Sequence, residues 1–240
     1  MKAVEIENLS IERESFSLKI KKLTIEEGQK VAILGENGSG KTTLLLAIAG
    51  FIESNIRVFS KDISNLKPID KASILSFLPQ FSDFSLNSTA FKVVLLGRYH
   101  IKNGLFDEED LKNTEEILEK LKMKHLARKQ FKALSGGQKR LILIAKTINQ
   151  DSKVMVFDEP LSSVDIKYSK IVAEYLKSLR KTIISSVHDI NLALAYFDRV
   201  IILKDGRIIF DDSPNKITKE VIDEAYEINS ISCSNRFIFF

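Results

Sequence analysis

The sequence predicts an α/β fold: a mainly parallel sheet with an antiparallel β subdomain and an inserted helical lobe. Three observations carry this. Four apolar runs, "KVAIL", "ASILSFL", "KVMVF" and "KTIISSV", are too continuous for half-exposed strands and suit strands buried on both faces. Between the second and third of them, Phe81 to Asn149 shows helical periodicity and no strand-like alternation. Val4 to Ile25 alternates, and "RVIILKDGRIIF" is two strand-like runs split by Asp205-Gly206, a hairpin signal.

In order along the chain, Val4 to Ile25 supplies antiparallel strands and Gly28 turns the chain into the first parallel strand, "KVAIL". "TTLLLAIAG" comes next as a helix. The second buried strand ends at Pro79-Gln80, the third at Asp158-Glu159-Pro160 and the fourth at His188-Asp189. Inside the helical stretch, acids from Asp107 to Asp110 and bases at Lys120, Lys122 and Lys124 mark the two ends of one amphipathic helix, as the helix dipole favours. The expected organisation is one domain over 1–240, with a core lobe from 1–80 and 150–240 and a helical lobe at 81–149.

At 240 residues, 44% hydrophobic and 28% charged, the composition is that of an ordinary globular chain, not a disordered or membrane-spanning one. The amino terminus "MKAVEIENLS" lacks the basic flank and apolar stretch of a secretory signal. Cys233 alone makes no disulfide framework and no metal-ligand spacing. Together these point to a cytoplasmic chain. A formal charge of +4 is too weak to argue for nucleic acid as a partner.

Ligands of open α/β sheets bind outside the carboxyl ends of the strands, so the residues just after each apolar run are informative. "GENGSGKT", Gly35 to Thr42, fits G-x-x-x-x-G-K-[ST] between a strand and a helix. Gly35, Gly38 and Gly40 let the loop curl so that N–H groups point at phosphate oxygens. Glu36, Asn37, Ser39 and Thr43 complete the loop and helix start, Lys41 reaches the β- and γ-phosphates, and Thr42 is a Mg²⁺ ligand. Asp158 at its strand end holds Mg²⁺ through water, and Glu159 beside it activates a hydrolytic water. Pro160 fixes where both carboxylates point. Gln80 is read as a Mg²⁺ and water sensor and His188 as a donor to the γ-phosphate. Each alone has a bland structural reading; their shared position at strand ends favours function.

"ALSGGQKR" raises a separate question. Ser135 and Gln138 form an S-x-x-Q capping box, which explains a helix start but not the two glycines. Bare Gly136 and Gly137 open the helix N-terminus to an anion, giving a second phosphate-binding element in a chain with one glycine loop.

"GENGSGKT", Gln80, "LSGGQ" (Leu134 to Gln138), "VMVFDEP", "SSVD" and His188 together resemble the ATP-binding subunit of ATP-binding cassette (ABC) transporters. The resemblance implies a P-loop NTPase core of the RecA-like kind, ATP and Mg²⁺ as ligands, and hydrolysis coupled to transport. It implies a second copy of the chain paired head to tail, each copy's Leu134 to Gln138 closing on the other's ATP with Asp165 at the seam. It further implies multi-span membrane permease subunits docked near Gln80 and "FSDFSLNSTAFKVVLLGR", an extracytoplasmic substrate-binding protein beyond them, and a place at the cytoplasmic face of the membrane. Of Phe81, Phe84, Leu86 and Phe91, some are expected in the core and others in the docking groove.

"VVLLGRYHIKNGLFDEEDL" and "HDINLALAYFDRVIILKDGRI" are similar to the importers of iron chelates, haem or cobalamin. A soluble ABC ATPase of iron–sulfur cluster assembly, or the ATPase of another transporter class, would share the nucleotide motifs. Three departures stand out. Where an adenine-stacking aromatic is usual, the chain offers Phe16, or Arg13 through a cation–π contact. Lys139-Arg140-Leu141 replaces a basic-Gln-Arg run, and Asp211-Asp212 a glycine turn. None of the three is expected to touch the phosphate chemistry.

Overall fold

The computed structural model describes residues 1–13, 16–81, 86–102, 104–228, 230–233 and 236–238. In chain order the elements are β1 (Lys2–Arg13), β2 (Phe16–Glu26), β3 (Lys30–Leu34), α1 (Lys41–Ile48), β4 (Arg57–Val58), β5 (Lys61–Asp62), α2 (Pro68–Ile74), β6 (Leu75–Leu78), α3 (Ala90–Leu95), α4 (Tyr99–Lys102) and α5 (Glu108–Lys120). Then come α6 (Gly136–Asn149), β7 (Val154–Phe157), α7 (Ile166–Ser178), β8 (Thr182–Ser186), α8 (Ile190–Tyr196), β9 (Arg199–Lys204), β10 (Arg207–Asp212), α9 (Lys219–Tyr226), β11 (Ile231–Cys233) and β12 (Arg236–Ile238). They form two compact units, Met1–Leu66 with Thr182–Phe240, and Lys67–Lys181.

In the first unit β1 and β2 pair antiparallel from Lys2↔Glu26 to Arg13↔Phe16. Alternation puts Val4 and Ile6 in the core, and after Asn8 (φ 51), where the alternation shifts by one residue, Leu9 and Ile11. β3 lies parallel to both β8 and β9. Every residue of β3 and β8 is buried, so neither strand shows the apolar–polar alternation of a half-exposed one; β8 also buries the hydroxyls of Thr182, Ser185 and Ser186. β9 and β10 form the expected hairpin, with Asp205 at φ 47 and Gly206 at φ 72 giving the left-handed pair a type I′ turn needs. Ile190 and Ala193 of α8 and Ile222 and Ala225 of α9 pack on Leu34, Val200 and Ile202. The two carboxylates that replace the usual glycine turn have work of their own: Asp211 takes a bidentate pair from Arg199 at 2.6 and 2.7 Å, and Asp212 accepts from Lys216 at 2.8 Å.

In the second unit β6 and β7 are parallel. Ala72, Ser73 and Ile74, expected to open this strand, are instead the last turn of α2, which Pro68 starts. α5 buries Asp110, Thr114, Ile117 and Leu118, the i, i+4, i+7, i+8 stripe of an amphipathic helix. Asp107 and Asp110 form its capping box, while Lys122, at φ 56, and Lys124 fall beyond its end. A Cβ at Gly97 would sit 2.3 Å from the Lys146 carbonyl oxygen, so glycine is required where α6 approaches. Arg98 next to it pairs with buried Asp110 at 2.9 Å.

The sequence-derived lobes and the compact units divide at different places. β6, β7 and α7 fall with the helices, and the end of α6 is tied to the start of β6: Gln150 Nε2 donates to the carbonyls of Ala72 (2.8 Å) and Leu75 (3.0 Å). Among the described residues no helix is long and apolar enough to cross a membrane.

Candidate functional site

The first unit carries the glycine loop. After β3 the chain turns through Gly35 (φ 137), Gly38 (φ 86) and Gly40 (φ 105) into α1. A Cβ at Gly35 would meet the Leu203 carbonyl oxygen at 2.2 Å, and one at Gly40 the Phe16 ring at 2.7 Å. Glu36, Asn37, Gly38 and Thr42 are exposed, Thr43 is half-buried, and Ser39 is buried with its Oγ lacking a hydrogen-bond partner among the described residues. α1 has no side-chain cap. Lys41 is buried and donates to the carbonyls of Gly35 (2.7 Å) and Glu36 (2.9 Å), so its ammonium sits inside the loop. An uncapped helix start, an orphan hydroxyl and an enclosed cation suit an oxyanion.

The loop is also held from behind. Gly35 N–H donates to the Tyr226 hydroxyl at 3.1 Å, and Gly206 N–H donates to the Ser39 carbonyl at 3.1 Å. Burial raises the Tyr226 pKa, which keeps the phenol neutral. Sequence reasoning missed Tyr226, which belongs to no local motif, and read Gly206 only as a hairpin turn, not as a support of this loop. Of the two adenine-stacking candidates, Phe16 lies half-buried against Gly40, and Arg13, its register partner, is exposed. His188 is exposed after Val187, and Asp189 caps α8 by accepting from Asn191 and Leu192 N–H.

The second unit carries the carboxylates. Asp158 and Glu159 are both buried, and Asp158 N–H donates to the Leu78 carbonyl at 2.8 Å. Glu159 has φ 46, a left-handed backbone that costs a non-glycine residue free energy. Gln80 Nε2 donates to Glu159 Oε2 at 2.6 Å, so the structure brings these two together. Arg140 donates to five carbonyl oxygens, those of Pro79, Gln80, Asp158, Glu159 and Pro160, a set of contacts the sequence did not indicate.

"LSGGQ" opens α6 in the same unit. Ser135 Oγ accepts from Gln138 N–H (3.3 Å) and Gln138 Oε1 accepts from Ser135 N–H (3.2 Å), the expected capping box, with Leu134 buried beneath. The glycines divide. A Cβ at Gly136 would meet open space, as an approaching anion requires, but one at Gly137 would lie 2.7 Å from the Ser163 carbonyl oxygen. Gly137 is thus demanded by packing within the chain, not by a ligand alone. Gly137→Ala is expected to destabilise the isolated chain by about 1–3 kcal/mol in urea unfolding, while Gly136→Ala leaves the midpoint unchanged. Asp165 is exposed and caps α7 by accepting from Lys167 N–H at 2.8 Å. Ile166 beside it is 87% exposed.

A buried strand, a three-glycine loop and an uncapped helix with an enclosed lysine define a P-loop nucleoside-triphosphate-binding protein. The ABC transporter family profile matches residues 18–162, and the chain belongs to that family. It is 34% identical to a hemin import ATP-binding protein of Vibrio parahaemolyticus, covering 87% of this chain and 84% of the relative. It is 32% identical to a petrobactin import ATP-binding protein of Bacillus subtilis, covering 86% and 85%. Among solved structures, a metal-chelate type ABC transporter in an inward-facing conformation matches with a TM-score of 0.80 at 26% identity, over 99% of this chain and 96% of that one.

Proposed function

We propose that the chain is the ATP-hydrolysing, energy-coupling subunit of a membrane importer for an iron-chelate, haem or cobalamin-type substrate. The observation that carries this is near-full-length similarity to hemin and petrobactin import ATP-binding proteins, together with the glycine loop and the Gln80–Glu159 pair. In this reading Gly35 to Thr43 bind the phosphates of ATP, Glu159 polarises the attacking water, Gln80 senses it, and His188 donates to the γ-phosphate. The Thr42 hydroxyl and the Asp158 carboxylate, with Gln80, are hard oxygen donors of the kind Mg²⁺ takes. The ion's contribution is to neutralise phosphate charge. Phe16 stacks on the base.

The working unit is a head-to-tail dimer at the cytoplasmic face of the membrane, in which Ser135 and exposed Gly136 cover the partner's ATP and Asp165 lies at the seam. Permease subunits dock on the apolar surface of the helical region, where Phe81 is 84% exposed and Leu96, Tyr99, Ile101 and Leu105 are also exposed. Leu86 and Phe91 are half-buried there, and Phe84 lies outside the described residues. A substrate-binding protein completes the importer on the far side of the membrane.

Cells lacking the chain are expected to lose uptake of radiolabelled iron chelate, haem or cobalamin, with restoration by the parent chain and not by Lys41→Ala. Undiminished uptake of all three would overturn the reading.

A further inference from the structure

Arg140 uses its whole donor set on two segments of backbone. Nε–H donates to the Pro160 carbonyl at 3.1 Å. Nη1 donates to Pro79 at 2.6 Å and Gln80 at 3.1 Å, and Nη2 to Asp158 at 2.7 Å and Glu159 at 3.1 Å. A guanidinium has five N–H donors, so none is left over. The side chain is buried, which works against its charge, and the nearby Asp158 and Glu159 carboxylates offset that cost. A Lys could satisfy at most three of these acceptors, and not in a fixed plane.

Its place on α6 gives this cluster a mechanical meaning. Arg140 stands five residues after Ser135, on the helix whose first turn is the exposed capping box. The carbonyl it holds at Glu159 belongs to the residue with φ 46, and Ser162 Oγ holds the same oxygen at 3.2 Å. The Glu159 side chain is held in turn by Gln80, whose own carbonyl Arg140 also grips.

We propose that Arg140 is a positioning residue for hydrolysis: it locks the Gln80 segment and the Asp158–Glu159–Pro160 turn to α6. Glu159 is therefore presented in one backbone geometry and moves with the helix that covers the partner's ATP. This rests on the reading of Glu159 as the group that polarises water. Arg140 touches neither ATP nor that water; it acts through Glu159 and Gln80.

The test is a double-substitution cycle in the full chain, reading ATPase kcat and KM, with thermal melts as the control for folding. Arg140→Lys is expected to lower kcat at least about 10-fold and leave KM for ATP within about threefold. In Glu159→Gln the same change is expected to have no further effect, since its route to the chemistry is already gone. Folded Arg140→Lys with kcat within twofold of the parent, or a double variant slowed by the product of the single effects, overturns the proposal. Parental turnover in Glu159→Gln alone overturns the underlying reading as well, and the cycle separates the two. If Arg140→Lys does not fold, hydrogen exchange of the unsubstituted chain serves. Amides of 135–138 and of 158, 159, 161 and 162 are expected to gain protection together on adding ATP, and protection of one segment alone overturns the coupling.

Discussion

Glu159→Gln is expected to bind ATP as the parent chain does and to turn it over about 10²- to 10⁴-fold more slowly, the usual contribution of a positioned general base. The substitution is close to isosteric. Gln80 Nε2 donates to Glu159 Oε2 at 2.6 Å, and an amide oxygen at position 159 can accept the same bond. The backbone bonds to Arg140 and Ser162 use the main-chain carbonyl and do not depend on the side chain. What the amide cannot do is take a proton from water. ATP-bound dimers should therefore accumulate, visible by size-exclusion chromatography with ATP and Mg²⁺, while phosphate release falls to near background. Phosphate release at the parental rate would remove the assignment.

How far the sequence disclosed this site depends on the range of the interaction concerned. Strands β3 and β7 were legible because burial on both faces leaves an apolar run, Val31 to Leu34 and Val154 to Phe157, and β8 because small hydroxyl residues beside Ile183 and Ile184 can be buried with them. The β9–β10 turn was legible because few residues accept left-handed backbone twice in succession. The glycine loop and the capping box are local patterns of the same kind. Ala72 to Ile74 was misread because a short apolar run carries no period that separates a last helical turn from a strand, and Pro68 was the better signal.

Contacts distant in sequence left no such trace. Arg140 is 60 residues from Gln80 and 19 from Glu159, and only the fold brings its fork to both backbones. Its signal was a departure from the usual residue, which alone did not say what the arginine touches. Tyr226 is 191 residues from Gly35, and nothing local to α9 marks its hydroxyl for that loop. Gly137 looked equivalent to Gly136 until the Ser163 carbonyl appeared beside it.

That distinction sharpens the second large prediction. Ser135→Arg is expected to leave ATP binding to the isolated monomer within about twofold and to abolish ATP-dependent dimerisation, with ATPase falling to the level of the undimerised chain. Ser135 is exposed, so a longer side chain there can extend into solvent. Its loss as a cap costs about 0.5–2 kcal/mol, which weakens the start of α6 without unfolding a helix whose later turns are buried. The glycine loop lies in the other compact unit and keeps every contact described for it, including Lys41 on its own carbonyls and the Tyr226 bond. An Arg at the mouth of α6 instead fills the open approach that Gly136 preserves, where the partner's γ-phosphate is proposed to sit. Nucleotide titration of dilute monomer separates the outcomes. Loss of binding at concentrations too low to dimerise would place these residues on the chain's own ATP, and retained binding without dimerisation supports closure onto a second copy.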